Sequence, residues 1–144
     1  MAWLAGCASI APVPTIVDAS AGNCPIAETA DGVAGDWLVG RWTQSHSTLD
    51  IRREGPALVY EWTREAGMQS DYWGEKAAAG GRGQVIRLSS CSIEMTGAYT
   101  WSSSSAIIGR KMILHLSLDS PRTLRGRWYG AGERWLVTAW WKAE

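Results

Sequence analysis

The chain has 144 residues, with 14 bases against 14 acids and a formal charge of zero. That length accommodates one domain with a real core, and the composition excludes a disordered chain, a coiled coil and a polybasic nucleic-acid binder. No stretch approaches the roughly 18 consecutive apolar residues of a membrane helix. Ten Trp stand against no Phe, so a functional account must say what the indoles do.

The zero charge is the sum of two unlike parts. Residues 1–36 carry Asp18, Glu28, Asp31 and Asp36 and no base, while residues 37–144 carry a net charge of +4. The first part, with Pro12, Pro14 and Pro25, reads as a leader and flexible tether, and the second as the folded domain. Leu4-Ala5-Gly6-Cys7 resembles a bacterial lipobox, which implies acylation of Cys7 and a signal truncated at the recorded start. With Cys7 acylated, Cys24 and Cys91 remain. An even remainder in an exported protein suggests a disulfide, worth about 4 kcal/mol for a loop of that size; the alternative is two unpaired thiols. No spacing is C-x-x-C, which argues against zinc and thioredoxin-like chemistry.

From residue 37 the hydrophobic period is two. Strands are expected near 37–45, 47–53, 57–64, 70–75, 84–89, 92–101, 109–119, 122–130 and 133–142, with one helical turn as an alternative over 75–79. The separators are short: Ser45-His46, Glu54-Gly55-Pro56, the glycine-rich 80–83, the serines 102–105, Asp119-Ser120-Pro121 and Ala131-Gly132. Such connections suit antiparallel hairpins and leave no room for crossovers. The expected fold is all-β, an antiparallel up-and-down β-barrel of about eight strands over residues 37–144.

Side-chain alternation assigns the faces. Met112, Leu114, Leu116 and Leu118 point inward, as do Leu58, Tyr60 and Trp62. Ile93, Met95, Gly97, Tyr99 and Trp101 are expected to follow, with Leu124, Gly126 and Trp128. Gly40-Arg41-Trp42, Tyr60-Glu61-Trp62, Tyr99-Thr100-Trp101 and Gly126-Arg127-Trp128 each place a ring one pleat beyond a Gly or Tyr, where the ring is expected to take the space a glycine leaves. Trp140 and Trp141 are adjacent in one strand, so one indole must lie outside the barrel and offer a surface for a partner or second copy.

Gly40-x-Trp42 on the first strand, the meander and Lys142 late in the last strand resemble the calycins: lipocalins, fatty-acid-binding proteins and avidins. In lipocalins such a cation packs over that Trp at the closed end of the barrel. The segment from Leu38 through Trp42, Gln44 and Ser47 to Ile51 is also similar to the opening strands of avidins. That similarity implies polar contacts from Gln44, which stands where avidins carry Asn, from Ser47 and from Tyr60 to a ureido-type group. A third similarity, to small periplasmic barrels that inhibit secreted metalloproteases, implies a tether that enters a protease cleft.

The chain lacks a nucleophile elbow, a phosphate loop and HExxH, so no enzyme and no cofactor are expected. His46 falls in a turn and His115 on the outer face, which favours solvated imidazoles over metal ligands. The outward Arg122, Arg125 and Arg127 form a small basic stripe. The expected protein is an exported cell-envelope lipoprotein, periplasmic or in the outer membrane. Its barrel would hold a small apolar or planar molecule, or a saccharide face, among Trp42, Gln44, Tyr60, Trp62, Tyr99, Trp101 and Trp128. The alternative is a protein-binding or protease-inhibiting module that works through its tether.

Overall fold

The computed structural model describes residues 13–16, 35–65, 78–89 and 91–143. Its strands are β1 (Thr15–Ile16), β2 (Gly40–Gln44), β3 (Ser47–Glu54), β4 (Ala57–Arg64), β5 (Ala79–Leu88), β6 (Ser92–Ser102), β7 (Lys111–Ser120), β8 (Thr123–Tyr129) and β9 (Trp135–Lys142). β2 to β9 pair in chain order, each antiparallel to the next. Trp42 opposite Lys142 and Thr43 opposite Trp141 close β2 onto β9. The result is a closed eight-stranded antiparallel barrel, which removes the exposed edges an open sheet would present. Within the segment read as a tether, β1 lies parallel to β5, with Thr15 opposite Arg87.

Alternation holds along most of the wall. Met112, Leu114, Leu116 and Leu118 are buried, as are Leu58, Tyr60, Trp62, Ile93, Met95 and Leu124. These side chains, with Leu49, Ile51, Val85 and Trp42, form one core that fills the barrel. Trp140 is 2% exposed and Trp141 50%, so the pair straddles the wall as the period of two requires.

Four sequence expectations are corrected. The glycine-rich stretch 80–83 is not a turn but part of β5, paired with β4 on one side and β6 on the other. Its glycines are needed for close approach: a Cβ at Gly83 would stand 2.0 Å from the Thr96 carbonyl oxygen, and one at Gly81 2.4 Å from Met112 Sδ. Trp101 is not inside. Tyr99 pairs with Gly81 but Trp101 with Gly80, so β6 carries one extra residue, and this bulge turns the indole outward to 46% exposure.

β2, the first strand of the barrel, begins at Gly40 rather than residue 37, because Asp36–Leu38 forms a 3-10 turn. It follows Gly35, whose φ of 87° favours glycine and whose missing Cβ leaves room for Leu58 and Leu88. Finally, the space above each glycine is not taken by the ring two residues along. Lys142 covers Gly40, Tyr60 covers Gly83 and Gly97, and Gly126 faces the β7 backbone at His115. The fillers come from neighbouring strands, whose directly opposed residues lie closer than same-strand ones. The strand expected at 70–75 lies outside the described residues, and of the helical turn expected at 75–79 only Ala78 and Ala79 are described, Ala79 opening β5.

Candidate functional site

The two ends of the barrel differ. At one, where the tight β3–β4 hairpin also lies, the 3-10 turn and the β7–β8 hairpin meet Lys142. Its ammonium lies 5.0 Å from the Trp42 ring centroid and donates to the carbonyls of Trp37 (3.0 Å) and Val39 (2.9 Å). Trp42 Nε1 in turn donates to the Leu38 carbonyl at 2.9 Å. This end is sealed, and the expected stacking of Lys142 over Trp42 is present. Burial, and secondarily the charge of Arg122, lower the Lys142 pKa below its ordinary value.

The other end carries the longer connections and is lined differently. Trp62 on β4 and Trp128 on β8 reach toward each other across the barrel, with ring centroids 6.4 Å apart, and Tyr99 meets Trp62 edge-on at 5.7 Å. Trp128 is half-buried and folds back over Gly130. The Tyr99 hydroxyl accepts a hydrogen bond from the Ala131 amide at 3.2 Å, which ties the floor to the β8–β9 turn.

Above this aromatic floor stand polar groups of the same inward parity. Gln44 donates through Nε2 to Thr138 Oγ1 (3.0 Å) and to the Ala139 carbonyl (2.9 Å). Both amide N–H bonds are therefore spent, and the Gln44 carbonyl oxygen has no hydrogen-bond partner among the described residues. Ser47 is buried beside it. The Arg64 guanidinium lies 5.6 Å from the Trp62 ring centroid.

Deeper in the core, Tyr60 is 1% exposed, and its hydroxyl has no hydrogen-bond partner among the described residues. Burial, then the neighbouring Tyr99, raises its pKa well above the ordinary phenol value. A lone hydroxyl in that position costs roughly 1–3 kcal/mol.

The structure thus gathers Gln44, Trp62, Tyr99 and Trp128 at one mouth. It places Tyr60 beneath them, Trp42 at the sealed end and Trp101 on the outer wall. Arg64 and Thr138 belong to the mouth and were missed in the sequence, although each stands one pleat from an inward Trp, which is the signal that finds them. His46 pairs with Glu65 in the β2–β3 turn and His115 with Glu94 on the outer wall. Cys91 is disulfide-bonded. Cys7 and Cys24, with the lipidation and the pairing expected of them, lie outside the described residues.

Shallow grooves open on the outer wall among the described residues, two of them beside outward aromatic side chains. One of about 380 Å³ runs beneath Trp101 beside Glu61 and Arg82, which pair at 2.9 Å. The other, of about 480 Å³, lies between Arg110, Lys111, Ile113 and Tyr129. The chain matches no protein-family model, no curated protein and no solved structure.

Proposed function

We propose that the protein is a non-catalytic, calycin-like binding module that takes a small planar molecule at the mouth above Trp62, Tyr99 and Trp128. The observation that carries this reading is the conjunction of an aromatic floor with the polar groups of Gln44, Ser47, Arg64 and Thr138. Aromatic rings supply area for a flat ligand, and a few fixed polar groups supply orientation. The half-buried Trp128 is the movable element, because its ring rests over a glycine in a turn rather than deep in the core. Trp42 and Tyr60 then act as the packed base of the site.

The same reading makes the chain an exported cell-envelope lipoprotein, anchored to a membrane through acylated Cys7. The disulfide at Cys91 supports an oxidising compartment. A thermal-shift screen of lipids, saccharides and aromatic metabolites tests the binding role. A hit must lose its shift in a Gln44→Leu, Arg64→Leu variant, and a screen without hits contradicts the reading.

The exposed indoles of Trp101 and Trp141 favour a second reading, a module that holds a partner on its surface. A protein partner captured through the tether is lost when residues 8–34 are deleted, whereas a ligand of the mouth survives that deletion.

A further inference from the structure

The outer face of β9 is unlike the rest of the wall. Its outward residues are Trp135, Val137, Ala139 and Trp141, an unbroken apolar row that spans the strand. Val137 is 88% exposed, Trp141 50% and Trp135 38%. Beside the row runs β8, whose outward Arg125 and Arg127 stand directly opposite Ala139 and Val137.

The Arg127 guanidinium lies 5.0 Å from the Trp135 ring centroid, and Tyr129 and His115 pack against that indole at 5.6 and 4.9 Å. Arg125 is held by Asp119 at 2.9 Å. The groove lined by Arg110, Lys111 and Tyr129, with Glu133 at its margin, adjoins this cluster through Tyr129. Residues 110–142 carry seven bases and two acids in a chain whose total charge is zero.

We propose that this wall is a membrane-contact face, which lays the barrel sideways on a bilayer containing anionic lipid. Indoles are favoured at the boundary between headgroups and acyl chains, and flanking guanidinium groups are attracted by lipid phosphates. The charge pattern decides among occupants. A second copy packed with β8 facing β8 would set Arg125 and Arg127 against their own counterparts, and such like-charge juxtaposition opposes that symmetric dimer. On its β8 side the row offers no edge to a partner strand, because β8 pairs with every residue from Trp135 to Trp141. The inference stands apart from the ligand of the mouth, which opens at the end of the barrel rather than through this wall.

The test uses the full chain, shown by mass to carry no acyl group, and two sets of vesicles. One set is phosphatidylcholine alone and the other equal parts phosphatidylcholine and phosphatidylglycerol. Co-sedimentation with the anionic vesicles and a blue shift of Trp emission are expected, and both should weaken in high salt. Arg127→Gln should weaken partitioning about fivefold, the effect of one surface cation. Val137→Asp with Trp141→Ser should abolish it while leaving the melting temperature within a few degrees.

Absence of binding overturns the proposal, as does binding that survives the double variant. Sedimentation showing a dimer that Val137→Asp dissociates would also overturn it, by assigning the wall to a second copy. Vesicle-independent capture of an acidic protein on the same residues would do so as well.

Discussion

Lys142 and Trp42 form the seal of the barrel: the ammonium stands over the indole at 5.0 Å and binds two carbonyls that precede β2. One side chain from the last strand thereby joins the first strand to the turn before it. Lys142→Met keeps much of the stem but leaves the Trp37 and Val39 carbonyls without their donor. A loss of about 2 kcal/mol is expected, since each deprived carbonyl in a partly buried site costs energy. Urea unfolding followed by Trp emission measures it.

Tyr60 should behave in the opposite way. Its hydroxyl has no partner, so Tyr60→Phe is expected to leave stability unchanged or to raise it by about 1 kcal/mol. The same variant should lose affinity for any mouth ligand that reaches down to the hydroxyl.

The pH dependence follows from the same residue. The folded phenol ionises well above the unfolded value of 10.0. Between those values the unfolded chain has released a proton that the folded chain still holds, so alkali favours unfolding. Stability from this group is complete below pH 10 and falls above it by up to about 1.4 kcal/mol per pH unit. Denaturation curves of the wild type and Tyr60→Phe across alkaline pH should differ by that slope.

Trp62 and Trp101 are both aromatic residues of the wall, yet they should respond very differently to truncation. Trp62 is 5% exposed and stacked within the floor, so Trp62→Ala should cost about 3–5 kcal/mol. Trp101 is 46% exposed on the outside, and Trp101→Ala should cost less than about 1 kcal/mol. Acrylamide should quench the Trp101 contribution and leave that of Trp62 largely protected.

That contrast shows where the sequence was legible. The period of two placed Leu58, Tyr60, Trp62 and the run from Met112 to Leu118 correctly, because side-chain alternation survives wherever two strands keep register. It misplaced Trp101 because a bulge inserts one residue in β6, and no local composition marks it. Gly80-Gly81-Arg82-Gly83 misled for a related reason. Glycines that in isolation resemble a turn are here demanded by rings and carbonyls from other strands, and those contacts are set by tertiary packing. The mouth was legible in its aromatic half, whereas Arg64 and Thr138 join it only once barrel closure brings β2, β4 and β9 around one opening.

Cys91 fixes another expected outcome. With three cysteines and a disulfide at Cys91, thiol titration of the unreduced, unacylated chain should find one free thiol. Peptide mapping should join Cys91 to Cys24, which leaves Cys7 for acylation; a bond from Cys91 to Cys7 would rule out the lipid anchor. Reduction should destabilise the domain by about 2–5 kcal/mol.

The most direct test of the binding role is a titration with N-phenylnaphthylamine, a neutral planar fluorophore that brightens in apolar surroundings. The account predicts saturable enhancement at one probe per chain, lost when Gln44→Trp fills the mouth and kept when Trp141→Ser alters the outer wall. No saturable enhancement, or enhancement indifferent to Gln44→Trp, would contradict it and leave the barrel as a solid core.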